Sequence, residues 1–447
     1  MRKERLYITL SVCLTIVIAS TWFVRAGSIT PPPGPVGGTM HTLDEIFAAV
    51  TAIGGTRIPI DALPFAIGAP GSYLVTADLA SVGLPGITVM ASDVTIDLDG
   101  HDLAGAMAGP GEDCIVLTPG FDNVTVFNGS IHDWGGDGLD LSGGAGHHGS
   151  DLTVESCGEN GVMLGPDSVF SKCVVRFNAG DGLVTFGNSR IENLVATANG
   201  FPGGVGPGGG DGIFLGGIND TLIGCALSGN FDDGVGIGPA VPTNNTAHDC
   251  TADGNGFGSG VGSGFNGLTR LTDCSANLNA ADGFFVAGVP SGGAVVNCVA
   301  NGNVGNGFVV AFTHVSDCEA SANGANGILA LQCRIRDCNV TGNFGDGIEG
   351  GAGNFISGNN VNGNGVNGIV LTGAANTIEN NHCTFNGAFG IDTGTFAPGL
   401  ANAVFANRAT GGFGGPGPDY FLDPANTAGP IVGPGPVGAG YGLNIVY

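Results

Sequence analysis

Basic residues are scarce in this chain. Its 447 residues include 12 Lys or Arg against 38 Asp or Glu, which gives a net charge of −26. Affinity for phosphate backbones comes from Lys and Arg, so this composition argues against a nucleic-acid partner. It also argues against an anionic polysaccharide, unless a cation lies between the two negative charges. Cations and neutral ligands are compatible with the charge.

Tryptophan and tyrosine are also scarce, at two and five residues. Neutral glycans are usually bound by exposed aromatic rings, so the chain offers few platforms for them. Trp134 lies beside Asp133 and near Asp137, and it is the candidate sugar platform. The alternative for Trp134 is burial against the body of the protein.

Several motifs are missing. No Cys-x-x-Cys pair with matching His spacing occurs, which disfavours a zinc site. The chain has no Ser/His/Asp elbow, phosphate-binding loop or dinucleotide fingerprint, because no Gly-x-Gly run is followed by a helix pattern. After residue 26 no apolar run is long enough to span a membrane. Serine hydrolases, nucleotide-dependent enzymes and multi-span membrane proteins are therefore disfavoured.

The first 71 residues fall into three segments. Residues 1–26 have a basic start, an apolar run and a small-residue cleavage site, which predict a signal peptide. An uncleaved anchor is the alternative, and it would be the one contact with a membrane. A Pro/Gly linker spans 27–41. Residues 42–71 hold a capping helix, with Thr42 and Glu45 as a capping box, and the segment that follows it. The predicted location is secreted, periplasmic or at the cell surface.

Glycine is abundant instead, at 86 residues, without the three-residue period of collagen. From about residue 72 a unit recurs that has the form Cys-x-x-x-x-Asn-x-x-Asp/Asn-Gly-hydrophobic. Clear copies are CVVRFNAGDGL (173–183), CSANLNAADGF (274–284), CVANGNVGNGF (298–308), CEASANGANGI (318–328) and CNVTGNFGDGI (338–348). The period of roughly 23 residues has room for three short strands and for no helix of ten residues. The pattern predicts an all-β fold, a right-handed parallel β-helix of about 14 coils over 72–407, closed by a cap segment over 408–447.

Stacked coils turn each repeat position into a column of side chains. The Asn five residues after the Cys is expected to hydrogen-bond along its column. The repeat Gly is expected to occupy a turn with a positive φ, and the acid before it is expected to be a turn former in water. Asp211 and Asp233 hold that acid position in neighbouring coils. They are the candidates for a Ca²⁺ site, which is the cofactor that the repeat suggests.

Cysteine fills one column of its own, at Cys173, Cys225, Cys250, Cys274, Cys298, Cys318 and Cys338. Export usually indicates disulfides, but eleven cysteines follow residue 26, an odd number. Parallel Cβ vectors in neighbouring coils would strain a disulfide. We expect buried free thiols, with disulfides and metal binding as the alternatives.

The chain resembles a known family. GSYLVTADLASVGLPGITVMASDVTIDLDGHDLAG (71–105), GGDGLDLSG (135–143) and the Cys/Asn-Gly coils are similar to the bacterial right-handed β-helix repeat proteins of the pectin-lyase-like superfamily. The helix TLDEIFAAV and the segment GPDYFLDPANTAGPIVG (417–433) resemble the flanks of one secreted group within it. The resemblance implies the β-helix fold. It implies activities that range from pectate and alginate lyases and polygalacturonases to tailspikes and non-enzymatic surface proteins.

Residues 97–151 hold the densest set of reactive side chains. Matching the strands that open at Val94, Val124 and Leu152 places Asp97 and Glu155 in one outward column, two coils apart. Their expected separation suits an inverting carboxylate pair. The candidate catalytic residues are Asp97, Glu155 and Asp137, and the candidate ligand-binding residues are Trp134, His147 and His148.

Two functions are compatible with these features. The first is an exported β-helix scaffold or binding protein of the cell envelope or exterior, with polysaccharide or cell-surface components as partners. The alternative is a polysaccharide lyase or glycoside hydrolase that uses surface carboxylates, with Ca²⁺ in the lyase case. Arg190, Arg270 and Arg334 share one repeat position in separated coils, so we expect no basic groove.

Overall fold

The structure is a computed structural model that describes residues 57–81, 83–105, 111–200, 209–238, 244–287, 292–394, 402–410, 420–421 and 427–428. These residues form 46 strands and no helix, so none of them belongs to a helix that could cross a membrane. The predicted signal peptide, linker and capping helix precede residue 57 and lie outside the described residues.

Sixteen strands stack in parallel and form the first sheet (sheet 1). Their bounds are Phe65–Ile67, Ile87–Val89, Ile115–Leu117, Leu139–Leu141, Val162–Leu164, Leu183–Thr185, Ile213–Leu215, Val235–Ile237, Phe265–Asn266, Phe284–Ala287, Phe308–Ala311, Ile328–Leu331, Ile348–Gly350, Ile369–Leu371, Ile391–Asp392 and Tyr420–Phe421. The predicted all-β solenoid of about 14 coils is confirmed.

The other 30 strands form two further parallel stacks, sheet 2 and sheet 3. Two long strands, Val124–His132 and His148–Glu155, run through both stacks. Sheet 2 also contains Ile58–Ile60, Gly71–Val75, Val94–Asp97, Val169–Ser171, Arg190–Glu192, Thr221–Ile223, Thr246–His248, Arg270–Thr272, Gly293–Val296, Thr313–Ser316, Arg334–Arg336, Phe355–Ser357, Thr377–Glu379, Ala403–Phe405 and Thr427–Ala428. Sheet 3 also contains Leu79–Ala80, Asp102–Ala104, Val174–Arg176, Val195–Thr197, Ala226–Ser228, Thr251–Asp253, Ser275–Asn277, Val299–Asn301, Glu319–Ser321, Asn339–Thr341, Asn360–Asn362, His382–Thr384 and Arg408–Thr410.

The coil pattern extends beyond both predicted boundaries of the solenoid. At the N-terminal side Ile58 already pairs with Tyr73, so regular coils begin before residue 72. At the C-terminal side Arg408 pairs with His382, and Ala403 pairs with Thr427. The described parts of 408–447 therefore continue the stacks, because their backbones find partners in the preceding coil.

The core is a column of alternating inward side chains. Strands of three residues bury their central or outer aliphatic positions, as in Leu139–Leu141 with the pattern buried, partly buried, buried. Three rings stack face to face in consecutive coils, with centroids 5.2 Å apart for Phe265 and Phe284 and 4.8 Å apart for Phe284 and Phe308. One repeat position thus becomes one continuous apolar column.

The corner between sheets 3 and 1 holds a ladder of buried asparagines. Each Asn side chain donates from Nδ2 to Oδ1 of the Asn in the next coil, as Asn303 does to Asn323 at 3.0 Å. The same Oδ1 accepts the backbone N–H of the previous Asn, and Nδ2 of Asn303 also donates to the carbonyl oxygen of Ala276 in the preceding coil. The ladder consists of Asn178, Asn199, Asn230, Asn255, Asn279, Asn303, Asn323, Asn343, Asn364 and Asn386. The predicted hydrogen-bonded Asn column is present, and it satisfies backbone groups that the corner leaves unpaired.

The repeat glycine serves a different purpose from the predicted one. Gly307 and its equivalents from Gly138 to Gly390 do not have a positive φ. A Cβ on Gly307 would lie 2.8 Å from Asn323 Nδ2 and 2.7 Å from the carbonyl oxygen of Gly327. Glycine is required there because the Asn ladder leaves no space for a side chain. Left-handed conformations fall elsewhere in the coil. They occur before the Cys position, as at Asp273 with φ 56°, and directly before the ladder Asn, as at Leu278 with φ 57°.

The cysteines are free thiols inside the coil. All eleven cysteines of the described residues are buried and unbridged, as expected, while Cys13 lies outside that part of the chain. The column is not pure cysteine: in it, Asn359 accepts the backbone N–H of Cys338 through Oδ1 at 2.9 Å. A second short Asn ladder, Asn359 to Asn381 to Asn407, thus continues the thiol column.

Candidate functional site

Asp97 and Glu155 do not form a pair. Asp97 pairs with Phe127 in sheet 2, and Phe127 pairs with Ser150. Glu155 lies in sheet 3, where it pairs with His132 and Arg176. The predicted register was wrong because His148–Glu155 passes through the corner without a break, so Leu152 begins the sheet 3 half of the strand and not the sheet 2 half.

Each of these two carboxylates is held by an arginine. Asp97 is buried, and its Oδ2 lies 2.6 Å from a terminal nitrogen of Arg57. Its Oδ1 accepts the backbone N–H of Asp99 and the side-chain amide of Asn128. Glu155 Oε2 lies 2.6 Å from Arg176 Nε on the outer face of sheet 3. Asp97 and Glu155 therefore have a structural role, because their contacts join one coil to another.

Trp134 is not an exposed sugar platform. Its side chain is only 1% exposed, and its indole Nε1 donates to the carbonyl oxygen of Leu103 at 3.0 Å. The predicted platform was wrong because the ring fills the interior at the corner where later coils carry the Asn ladder. Buried indoles usually find such a partner for the N–H.

His147 and His148 point in different directions. His147 is buried at the corner between sheets 1 and 2, where its Nδ1 accepts the backbone N–H of Val124 at 3.2 Å and its backbone N–H donates to Ser168 Oγ. Burial lowers the pKa of His147, so the imidazole is neutral and acts as a structural acceptor. His148 is partly exposed at the start of its strand, where it pairs with Thr125 and Val169.

Asp137 belongs to a column of buried and partly buried acids and amides, which we call the Asx column. It begins at Asp113, whose Oδ1 accepts the backbone N–H of Asp137, and then continues at the residue before the repeat Gly. Its members are Asp113, Asp137, Asn160, Asp181, Asp211, Asp233, Asp282, Asn306, Asn326, Asp346 and Asn367. In each, Oδ1 accepts a backbone N–H of the next coil, at 2.7 Å from Asn160 to Asp137 and 2.8 Å from Asp233 to Asp211. The expectation of turn formers in water was wrong for Asp137, Asp211 and Asp233, which are at most 8% exposed.

Burial makes these carboxyls weak acids. Desolvation raises the pKa of Asp137 to about 7, and the charges of Asp113 and Asp140 add to it. Desolvation likewise raises the pKa of Asp113 to about 6 and that of Asp233 to about 6. The pKa of Asp211 is raised well above its usual value, first by desolvation and then by Asp233 and Asp181. Stacked acids in one column must therefore hold protons or lose stability.

The Ca²⁺ candidates Asp211 and Asp233 do lie in neighbouring coils of this column. Calcium takes six to eight oxygen ligands. In the part of the chain that the structure describes, no group of three or more His, Cys, Asp or Glu side chains is arranged to hold a metal ion. The Ca²⁺ site stays a prediction, for which these residues supply two carboxylates.

Sequence reasoning missed a small cationic cluster on sheet 2. Arg336 donates from Nε to His314 Nε2 at 3.2 Å, and Arg334 lies 5.1 Å over the ring of Phe355. Burial and the two arginines lower the pKa of His314. Arg270 lies three coils away from Arg334 in the same outward column, through Ala294 and His314. The signal was in the sequence, because His314, Arg270 and Arg334 all lie four residues before a repeat Cys.

The three outer faces of the central coils differ in chemistry. Sheet 1 carries an apolar groove of about 330 Å³ lined by side chains that include Phe285, Val309, Leu329 and Leu331. Sheet 2 carries the cationic cluster. Sheet 3 presents Asn, Ser and Thr side chains in register, from Asp253 through Asn277, Asn301, Ser321 and Thr341 to Asn362.

Comparisons with known proteins found a family model and several solved structures to which this chain is similar. A family model for the right handed beta helix region matches residues 205–332. Similar solved structures include the A-module of Azotobacter vinelandii mannuronan C-5 epimerase AlgE6, at 17% identity and TM-score 0.33, over 88% of this chain and 94% of that one. A double mutant of the periplasmic alginate epimerase AlgG matches at 11% identity and TM-score 0.39, over 79% of this chain and 78% of that one. Pectate lyase Pel9A matches at 14% identity and TM-score 0.30, over 77% and 71%. No curated protein matches.

The assignment rests on the strand pairing and on the family match. Three stacks of short parallel strands, an Asn ladder at one corner and a continuous apolar interior describe a β-helix coil by coil. The family model covers the coils around the central thiol column. The described coils form a parallel β-helix, and residues 205–332 match the family model of the right handed beta helix region.

Proposed function

We propose that the protein is an exported β-helix that binds a polysaccharide along its outer surface and does not cleave it. One observation carries this proposal: the acids predicted to act in catalysis are each engaged in contacts that hold the coils together. Asp97 is bound to Arg57, Glu155 to Arg176, and Asp137 to the backbone N–H of Asn160. They do not converge on one groove, so they form no acid–base pair with each other.

The outer surface supports binding. Parallel coils repeat the same outward positions at the spacing of about 4.8 Å between strands, which suits an extended polymer better than a small ligand. The expected signal peptide would deliver this surface to the cell exterior or envelope, where such polymers occur.

The experiment uses the full chain, exported from a bacterial host, with a panel of neutral and anionic polysaccharides, with and without Ca²⁺. Retardation in polysaccharide-containing native gels measures binding, and size-exclusion chromatography of each polymer measures its chain length. We expect retardation by at least one polymer and no shortening of any. Shortening of a polymer, or the absence of retardation by every polymer, would overturn the proposal.

A specific observation favours glycoside hydrolysis as a second candidate. Asp137, with a pKa raised to about 7 by burial, stays protonated near neutral pH as a general acid must. Asp113 is the neighbouring carboxyl, partly exposed, and its Oδ1 accepts the backbone N–H of Asp137 at 2.7 Å. If any polymer is shortened, Asp137→Asn should abolish the shortening, and the fold should persist because Asn160 occupies the same column.

A further inference from the structure

Several strongly exposed apolar side chains of the central coils lie along one edge of sheet 3. Phe257, Leu278, Val304 and Phe344 are 72%, 62%, 66% and 75% exposed, and Val366 is 41% exposed. All five lie at the corner that carries the Asn ladder, in coils that this ladder joins from Asn255 to Asn364. We call these five residues the edge ridge. One coil between them, that of Asn323, contributes Ala322 and Gly324 instead.

Folding does not require the ridge to be apolar. Its side chains are exposed, while a buried ladder Asn within two residues of each of them makes the hydrogen bonds of the corner. Val304 and Phe344 use their backbone N–H groups to bond the preceding coil, at 3.0 Å and 2.9 Å, a contact that any non-proline residue could make. Apolar residues repeated on an exposed edge usually mark an interaction surface.

The face beside the ridge is polar and nearly without charge. In the same six coils one outward column of sheet 3 is Asp253, Asn277, Asn301, Ser321, Thr341 and Asn362. The other is Thr251, Ser275, Val299, Glu319, Asn339 and Asn360. Two of these twelve side chains are acidic and none is basic, in a chain of net charge −26.

The amides and hydroxyls of this face form short ladders of their own. Asn360 donates to Asn339 Oδ1 at 3.0 Å, and Asn277 donates to Asp253 Oδ1 at 2.9 Å. These two bonds fix the orientation of the Asn277 and Asn360 amides on the face.

We propose that a neutral polysaccharide chain lies along the face of sheet 3, with the apolar faces of its sugars on the edge ridge and its hydroxyls on the Asn, Ser and Thr columns. This inference rests on the proposed function and names its ligand class and its site. The lack of basic side chains on the face gives an anionic polymer no counter-charge there. The coil repeat of about 4.8 Å is close to the length of one hexose unit, so successive sugars meet equivalent positions.

The test compares variants of the full chain in native gels and in calorimetric titrations with soluble neutral polymers (dextran, hydroxyethylcellulose and xyloglucan) and with alginate and polygalacturonate. The ridge variant is Leu278→Ala with Phe344→Ala, and the face variant is Thr341→Glu with Asn362→Asp. The control is Phe186→Ala, which removes a ring that is 43% exposed at the end of a sheet 1 strand. Thermal melting checks that each variant folds.

The expected result is binding of a neutral polymer that falls about tenfold or more in the ridge variant and in the face variant, with the control unchanged. Equal binding by all variants, or binding confined to alginate and polygalacturonate, would overturn this inference and leave the proposed function standing. Binding of no polymer would overturn both. Self-association of the native chain that Phe344→Ala abolishes would assign the ridge to a second copy of the chain instead.

Discussion

The side-chain amide of Asn303 donates to Oδ1 of Asn323 at 3.0 Å across 20 residues of sequence. The two amides occupy the same corner of successive coils, and neither is exposed by more than 1%. Because Asn323 also accepts the backbone N–H of Asn303, its single oxygen completes two donors of the neighbouring coil. Hydrogen bonds between buried amides therefore stabilise the stacking of neighbouring coils, in addition to the apolar interior.

Asn323→Ala should destabilise the protein by about 2–5 kcal/mol. The substitution leaves the buried donors of Asn303 without an acceptor, and each such buried group costs about 1–3 kcal/mol. Urea denaturation followed by circular dichroism measures the loss. The control is Asn360→Ala on the exposed face of sheet 3, which should change the free energy of unfolding by about 0.5 kcal/mol or less. Equal effects of the two substitutions would contradict the ladder.

Stability should fall as the pH rises from about 4 to about 7. In the fold, burial raises the pKa of Asp137 to about 7 and of Asp233 to about 6. The unfolded chain releases these protons near pH 4, so between the two values the native state holds protons that the unfolded state lacks. Each such proton contributes a slope of about 1.4 kcal/mol per pH unit. Urea midpoints at pH 5 and pH 8 measure the change, and a midpoint that rises with pH would contradict it.

Asp211→Asn should stabilise the protein at pH 8 and raise its urea midpoint there. The amide keeps an oxygen for the backbone N–H of Asp233 and removes a carboxyl whose pKa burial, Asp233 and Asp181 raise. The gain should vanish at about pH 3, where the carboxyl is mostly protonated in both states. Asp167→Asn, on an exposed side chain, is the matched control and should show no gain at either pH. Destabilisation by Asp211→Asn at pH 8 would refute this account.

Phe284→Ala should cost about 3–5 kcal/mol, whereas Phe285→Ala should cost about 1 kcal/mol or less. The first ring is fully buried between Phe265 and Phe308, and the second is 38% exposed on the outer face of the same strand. Thermal melting of the two variants compares neighbouring rings in one experiment. A similar loss of stability in both variants would contradict the burial of Phe284 and the exposure of Phe285.

At most one thiol of the native full chain should react with Ellman's reagent. The eleven cysteines of the described residues are buried and unbridged, which leaves Cys13 as the remaining candidate. In guanidinium chloride the eleven cysteines of the described residues should all react, because unfolding exposes them and no disulfide holds them. Fewer than eleven reactive thiols in the unfolded, unreduced chain would indicate disulfides.

The repeat was sufficient to predict the architecture. A period too short for a helix, with hydrophobic residues after each Asn-Gly or Asp-Gly, allows only three short strands in each coil. The recurring Asn predicted its own ladder, and the Cys column predicted buried thiols, because a residue that recurs once per coil must stack on itself. The identity of a residue is a local property, but when it recurs once per coil, its side chains come into contact in the stack.

The tertiary structure alone decided the site. Asp97 and Glu155 are separated into different sheets because His148–Glu155 continues through a corner, an event that no periodicity in 97–155 signals. Trp134 is buried at a corner of the interior. The repeat glycines are required because the Asn ladder leaves no room for a Cβ, and not because of a turn. Sequence periodicity sets which residues share a column, but the register at irregular coils sets which columns meet. That register depends on how each coil packs against the next, and these contacts join residues that are far apart in the sequence.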